Sequence, residues 1–310
     1  MVAETSIQLQ PVPPGAEPLS VTLGDLKLEG LRWGEATAKP ILALHGWLDN
    51  ALSFVHLAPA LVQAGYQVVA LDFAGHGLSD WRSRSTPYWL MNNCFEVDGV
   101  REALGWSEFT LLGHSMGAGV ACLYAASRPE CVSQLLLIDG LGTLTTVEAD
   151  APDQLTQALQ AQAKSRNKTS RTLGYPSFEQ AVQARQGGMG GLDQTAARWL
   201  CQRGLQPIEQ PEAEQRWRWR SDPRLLQASP WRLTEGQNQA FLARIQCPTL
   251  FVQAEAGLLC GRDEIPQRFR CLDKGTHQWV PGGHHCHLED ASQAQVAALV
   301  VDFLQRQREA

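Results

Sequence analysis

Short apolar runs alternate with segments of helical periodicity along the first half of the chain. Runs of strand length predict strands at 41–46, 66–73, 109–115, 134–140 and 247–255. Helical spacing of apolar residues predicts helices at 54–65, 90–105, 117–129 and 292–309. Strands and helices in this order are typical of a parallel sheet covered on both faces. We therefore expect an α/β fold with right-handed crossovers.

The alternation stops after Leu141. Residues 150–235 are rich in Gln, Arg and Trp, with helical patterns at 152–165 and 194–204 and a Gly-rich break, GGMGG, between them. No strong strand signal returns before residue 247. We predict one core, formed by residues 1–140 and 241–310, with residues 141–240 inserted between two of its strands as a helical lid.

Composition and charge exclude several classes of protein. With 44% apolar and 19% charged residues, the chain of 310 residues can bury a large core. Its net charge of −6 is the wrong sign for holding nucleic-acid phosphates. There is no run of 18 apolar residues and no recognisable leader sequence, so we expect no membrane span. The eight cysteines form no CxxC pair, which favours reduced thiols in the cytoplasm.

The sharpest chemical signal is a G-x-S-x-G motif around Ser115. Gly113-His114-Ser115-Met116-Gly117 directly follows a predicted strand and directly precedes a predicted helix. That context is the one a nucleophile elbow requires, because glycines at both ends allow a strained turn that lifts the serine above the sheet. The helix N-terminus there favours negative charge. Ser115 is therefore the candidate nucleophile.

Four motifs together resemble the α/β-hydrolase superfamily over residues 25–307. They are HGW (45–47), DFAGHGLSD (72–80), GHSMG (113–117) and GGHH (282–285). RWRWRSDPRL, AEAGLL and GGHHCHLE further resemble the serine hydrolase-like group. The resemblance implies a mostly parallel eight-stranded sheet flanked by helices, a helical lid, hydrolysis through an acyl-enzyme and no cofactor.

A serine hydroxyl needs a base to accept its proton, and the family order of nucleophile, acid and histidine places that base in the last loop before the C-terminal helix. The loop carries His284, His285 and His287. We prefer His284, since the Gly-Gly corner before it lets the imidazole reach over the sheet edge. The other two are expected to pack or to lie on the surface. We predict no metal, because successive His and Cys residues do not easily converge on one ion.

The oxyanion hole requires two backbone N–H donors. One is expected from Met116, the residue after the nucleophile, and the other from Trp47 in the loop after the first predicted strand. Gly46 lets that loop turn. His45 is expected to brace the loop rather than to act as the base.

The acid of the triad departs from the family pattern. Many members have G-E-x-D after the penultimate strand, whereas this chain has Ala254-Glu255-Ala256-Gly257, with glycine in the aspartate position. Asp139 is the first candidate, because some relatives take the acid from the strand after the nucleophile helix. An aspartate there can instead be structural. Glu255 is the second candidate and Asp263 the third.

A serine nucleophile, rather than an aspartate, indicates carbonyl substrates. We predict a cytoplasmic serine hydrolase that cleaves small to medium-chain carboxylic esters, with a small-molecule acyl ester as its partner. One alternative is a thioesterase or lipase-like hydrolase of longer acyl chains. Another is a non-catalytic α/β-hydrolase-fold protein that binds or signals, which the missing G-E-x-D aspartate motivates. Oligomeric state and physiological substrate are not predicted.

Tryptophan is abundant, with ten residues. Five of them could either line an apolar acyl pocket or seal the lid onto the core. These are Trp47, Trp199, Trp217, Trp219 and Trp231.

Overall fold

The computed structural model describes residues 8–166, 174–188, 190–208 and 215–309. Eight of the described strands form one sheet in the order β1-β2-β4-β3-β5-β6-β9-β10. β2 is antiparallel to both β1 and β4, and the remaining neighbours are parallel. The strands are β1 (Ala16–Leu23), β2 (Leu26–Trp33), β3 (Lys39–Leu44), β4 (Tyr66–Leu71), β5 (Phe109–His114), β6 (Val132–Ile138), β9 (Thr249–Ala256) and β10 (Gly275–Gly283).

Helices cover both faces of this sheet. Leu42 and Leu44 of β3 pack into one apolar cluster, with α2 and α3, whereas Ile41 and Ala43 pack into another, with α1 and α9. A parallel strand that is buried on both faces has no polar side, which explains the continuous apolar runs of β4 and β5. The helices are α1 (Leu57–Gln63), α2 (Asn92–Ala103), α3 (Met116–Ser127), α4 (Ala151–Arg166), α5 (Phe178–Gln186), α6 (Gln194–Gly204), α7 (Glu235–Ala243), α8 (Glu264–Phe269) and α9 (Gln293–Glu309).

The predicted α/β-hydrolase fold is confirmed, and the five predicted strands correspond to β3, β4, β5, β6 and β9. β1, β2 and β10 were not predicted. β1 and β10 are the edges of the sheet and keep many exposed residues, so their sequences mix polar and apolar positions. A strand that is partly solvated lacks the continuous apolar run on which the prediction depended.

Residues 141–240, called the insertion from here on, leave the sheet between β6 and β9. They contain α4, α5, α6 and a two-stranded antiparallel ribbon, β7 (Leu205–Ile208) with β8 (Arg216–Trp219), and α7 begins within them and ends at Ala243. The insertion, which is expected to be helical, therefore also contains a small sheet, and strands of four residues carry only a weak sequence pattern. Met189 of the GGMGG break lies outside the described residues. That the insertion acts as a lid stays a prediction.

The insertion has its own small apolar cluster, and a buried ion pair ties it to the core. Trp217 of β8 packs edge-on against Phe178 of α5, with ring centroids 5.5 Å apart. Arg203 of α6 donates from Nε to Asp72, which follows β4, over 2.7 Å, and both side chains are almost fully buried. Asp72 also accepts hydrogen bonds from the backbone amides of Ala51 and Leu78.

Candidate active site

The predicted site residues come from loops at one edge of the sheet. Parallel strands end on the same side, so the residues that follow β3, β5, β6 and β10 are brought together there. These are the turn after β3 at Trp47, Ser115 after β5, Asp139 after β6 and His284 after β10. Residues far apart along the chain therefore converge on one small volume.

Ser115 lies at a strained, tightly packed turn between β5 and α3. Its φ of 52° and ψ of −114° are unusual for a residue with a side chain. A Cβ on Gly113 would come within 2.6 Å of the Ala118 backbone, and one on Gly117 within 2.0 Å of the Leu44 carbonyl oxygen. Both glycines of the motif are thus required by the close approach of the backbone. This arrangement agrees with the predicted nucleophile elbow.

Ser115, His284 and Asp139 form a continuous hydrogen-bonded chain. The distance from His284 Nε2 to Ser115 Oγ is 2.8 Å, and that from His284 Nδ1 to Asp139 Oδ2 is 2.5 Å. With the proton on Nδ1 donated to the carboxylate, Nε2 is free to accept the serine proton. Asp139 and His284 are both buried. The geometry is that of a nucleophile, a base and an acid that orients the base.

The carboxylate of Asp139 is held by the chain around it. Besides His284, it accepts hydrogen bonds from the amides of Leu258 (3.0 Å) and Ala254 (3.3 Å), and a Cβ on Gly257 would lie 2.4 Å from its oxygens. The glycine that replaces the family aspartate therefore makes room for an acid that arrives from β6. Glu255 and Asp263 are both exposed, and the structure does not bring either into contact with His284.

The predicted oxyanion donors lie on either side of a tight contact between α3 and the end of β3. The turn at residues 46–49, called the oxyanion turn, closes with a hydrogen bond from the Asp49 amide to the Gly46 carbonyl. Gly117, next to Met116, packs directly on the backbone of Leu44 and His45. Within the part of the chain that is described, the amides of Trp47 and Met116 donate to no protein acceptor. They are thus available to a ligand.

His45 braces this region, as expected. Its Nε2 accepts from the Phe73 amide (3.0 Å), which leaves the proton on Nδ1 to be donated to the Gly46 carbonyl (2.7 Å). Burial lowers the pKa of His45, so the imidazole stays neutral and the two bonds keep these directions.

Behind His284 lies a buried cluster that the sequence did not reveal. Asp49 Oδ2 is 3.2 Å from His285 Nε2 and 3.6 Å from His114 Nδ1, and the opposite ring nitrogen of His114 donates to the His284 carbonyl over 2.9 Å. Burial lowers the pKa of His114 to about 4, so it is neutral near pH 7. His287 bonds to Ser53 Oγ at 2.8 Å. His285 and His287 are therefore buried packing residues, as one of the two expectations had it.

Among the described residues, this cluster is the one group of side chains whose ligand atoms lie close enough together to hold a metal ion. The ligand atoms of Asp49, His114 and His285 all lie within 4.8 Å of one another. However, the other carboxylate oxygen of Asp49 receives Arg185 Nη2 at 2.5 Å. A guanidinium already supplies the positive charge that a cation would bring, so the cluster is better described as an ion pair with histidine neighbours.

The tryptophans split between packing and exposure. Trp217 is buried and Trp219 half-buried within the insertion, Trp199 stacks edge-on against His56, and Trp231 is exposed. Trp47 belongs to the loop after β3, and its indole Nε1 donates to the Leu225 carbonyl of the insertion over 3.1 Å. Trp47 and Trp199 therefore join the insertion to the core, whereas Trp217 and Trp219 pack inside the insertion.

One loop of the insertion lies against His284. A Cβ on Gly190 would come within 2.9 Å of His284 Cδ2, so the loop approaches the imidazole so closely that a larger residue would clash. Gly190 has a φ of +84°. The insertion therefore contributes part of the wall around the base.

Comparison with known proteins agrees with this geometry. The profile of the alpha/beta hydrolase fold matches residues 39–291. A serine hydrolase-like protein of Dictyostelium discoideum is 30% identical over 287 residues, which are 89% of this chain and 79% of that protein. The crystal structure of a hypothetical protein from Pseudomonas aeruginosa has a TM-score of 0.86 and 41% identity, covering 93% of this chain and 99% of that one. The thioesterase domain from the curacin biosynthetic pathway has a TM-score of 0.77 and 26% identity, covering 92% and 99%.

These matches extend over nearly the whole length of the chain. The protein belongs to the α/β-hydrolase fold family. Within that family it belongs to the serine hydrolase-like group, which confirms the resemblance noted from the motifs. No helix among the described residues is both long and apolar enough to cross a membrane.

Proposed function

We propose that this chain is a serine hydrolase that cleaves small to medium-chain carboxylic esters through an acyl-enzyme. The single observation that carries the proposal is the hydrogen-bonded chain from Ser115 Oγ through His284 to Asp139. A buried carboxylate, an imidazole and a strained serine, hydrogen-bonded in this order, serve nucleophilic catalysis, whereas ligand binding or signalling does not require them. These hydrogen bonds therefore support a catalytic protein rather than one that only binds or signals.

The reaction follows from the positions of these groups. Ser115 Oγ attacks the ester carbonyl carbon while its proton passes to His284 Nε2, and the Nδ1–H bond to Asp139 stabilises the imidazolium that forms. The amides of Trp47 and Met116 donate to the oxyanion. His284 then gives its proton to the departing alkoxide, which leaves as the alcohol. Water, deprotonated by the same nitrogen, hydrolyses the acyl-enzyme and restores Ser115.

A thioesterase is the second candidate. The structural likeness to the curacin thioesterase domain favours it, because the same acyl-enzyme chemistry serves oxygen and sulfur leaving groups. Matched esters and thioesters, with acyl groups from acetyl to palmitoyl, separate the possibilities. Faster turnover of thioesters would favour the thioesterase, and a preference for chains longer than dodecanoyl would favour a lipase-like enzyme.

Covalent labelling tests the proposal directly. A fluorophosphonate probe should label the wild type and fail to label Ser115→Ala, because only an activated serine attacks the phosphorus. Ser127→Ala, at the exposed far end of the same helix, is the matched control and should be labelled normally. If the wild-type protein stays unlabelled at millimolar probe, the proposal that this chain is a serine hydrolase is excluded.

For the compartment we infer the cytoplasm, since all eight cysteines are free thiols.

A further inference from the structure

Asp49 lies where three parts of the molecule meet. Its amide closes the oxyanion turn, its Oδ2 faces His285, which directly follows the catalytic His284, and its Oδ1 receives Arg185 from α5 of the insertion. The side chain of Asp49 is 1% exposed and that of Arg185 is 12% exposed. The bond from Arg185 of the insertion is thus linked to the turn that carries the Trp47 amide, the candidate oxyanion donor, through Asp49 alone.

The oxyanion turn needs such support because its backbone is strained. Leu48 has a φ of 63°, a left-handed conformation that a branched side chain rarely adopts. Strain of this kind persists only where the surroundings hold the backbone in place. The next residue, Asn50, is held from the insertion as well, since its Nδ2 donates to the Leu200 carbonyl of α6 over 2.9 Å. Two helices of the insertion therefore bond to adjacent residues of this loop.

Arg185 also helps to keep Asp49 ionised. Burial alone would raise the pKa of this carboxyl, but His285 and Arg185 outweigh it and hold the pKa well below the usual range. Among the described residues, Arg185 is the one permanent cation bonded to Asp49. Removing Arg185 takes away the permanent cation bonded to a buried carboxylate, which favours protonation of Asp49 or its rotation toward water, and both changes would release the turn.

We propose that Arg185 is a positioning residue that acts through Asp49 to fix the Trp47 amide, and so couples the insertion to the oxyanion hole. This inference rests on the proposed function, in which the Trp47 amide stabilises the oxyanion. It also gives the insertion a second role besides covering the site. Any movement of α5 away from the core breaks the Arg185–Asp49 bond and loosens the hole.

The test compares Arg185→Gln with Arg198→Gln, which removes an exposed ion pair to Glu179 within the same insertion. Arg185→Gln should lower kcat by about 10- to 100-fold, with KM changed by less than about threefold, because a displaced donor weakens transition-state binding more than substrate binding. Arg198→Gln should match the wild type. Arg185→Lys, which keeps the positive charge but lacks the planar guanidinium with its fixed N–H donors, should recover part of the loss.

The partner variant shows whether the effect passes through Asp49. Asp49→Asn should lower kcat by a similar factor, and the double variant should be no worse than either single variant. Two results would overturn the proposal: a kcat for Arg185→Gln within threefold of the wild type, or losses at Arg185 and Asp49 that multiply. A rise in KM together with a fall in kcat that Arg198→Gln shares would mean general loosening of the insertion, and would overturn the proposal too.

A measurement without turnover keeps this inference separate from the proposed function. Amide hydrogen exchange of the segment around residues 46–55 should be faster in Arg185→Gln than in the wild type and in Arg198→Gln. If the wild type neither turns over esters nor reacts with the fluorophosphonate, the proposed function fails while the exchange result still decides the coupling. Unchanged exchange in this segment would refute the coupling even in an active enzyme.

Discussion

Replacing Asp139 by Asn tests the candidate triad at its most unusual member. The substitution keeps the size of the side chain and suits the backbone, since Asn tolerates the left-handed φ of 39° better than most residues. It removes the charge that faces His284 Nδ1 at 2.5 Å. An amide can also present its NH₂ group to Nδ1, which would fix the imidazole in the tautomer that carries its proton on Nε2 and cannot accept the Ser115 proton.

The expected loss is large and specific. In a triad whose acid becomes an amide, kcat falls by about 10⁴-fold, which at about 1.36 kcal/mol per decade is a barrier increase of about 5.4 kcal/mol. Turnover of a p-nitrophenyl ester, followed by absorbance, measures the change. Urea unfolding of the same samples should show a cooperative transition, so that lost activity is not lost fold.

Glu255→Gln is the matched control, because Glu255 is the second candidate acid, lies near the end of the neighbouring strand β9 and is exposed. We expect its kcat to stay within about twofold of the wild type, as for a surface residue outside the site. The assignment of Asp139 would be refuted if Glu255→Gln were the inactive variant. It would also be refuted if Asp139→Asn lost less than about tenfold.

Three further predictions concern the acid's position, the anchor of the insertion and pH. Asp139→Ala should be inactive, and adding Gly257→Asp should restore part of the ester turnover, because a Cβ at Gly257 points at the present carboxylate; no gain over the single variant would contradict this. Arg203→Met should lower the free energy of unfolding, measured in urea, by about 3–5 kcal/mol, because it leaves the buried Asp72 carboxylate without its cation. A loss below about 1 kcal/mol would show that this ion pair does not anchor the insertion. Burial lowers the pKa of His76 to about 3 and of His114 to about 4. The unfolded chain therefore binds more protons below pH 6.5, and stability should fall from there toward pH 4 by up to about 1.4 kcal/mol per pH unit for each histidine; a flat profile would contradict these shifts.

The sequence was sufficient for structural features that depend on near neighbours along the chain. The elbow at Ser115 has its glycines within two positions, and the Gly-Gly corner precedes His284 directly. The buried parallel strands were recognisable because each is apolar on both faces. These features are local, so the chain alone predicts them.

What the sequence could not supply depends on long-range packing. Arg185 and Asp49 are 136 positions apart, and neither residue stands out from its surroundings in the chain. The sequence ranks Asp139 before Glu255, but only the structure shows that the Asp139 carboxylate reaches His284 whereas Glu255 is exposed. The edge strands β1 and β10 were missed for a different reason, since their partial exposure removes the pattern.

The convergence of Asp139 and Gly257 has a consequence for how such sites can change in evolution. Two strand ends reach the same point beside His284, and only one of them can carry a side chain there. A lineage could therefore move its acid from one strand to the other in two substitutions without rebuilding the fold. The route must avoid an intermediate with both acids, because two carboxylates at this separation would clash and repel each other's charge. The aspartate must therefore be lost from one strand end before another is gained at the second, and we expect the intermediate protein to have weak activity.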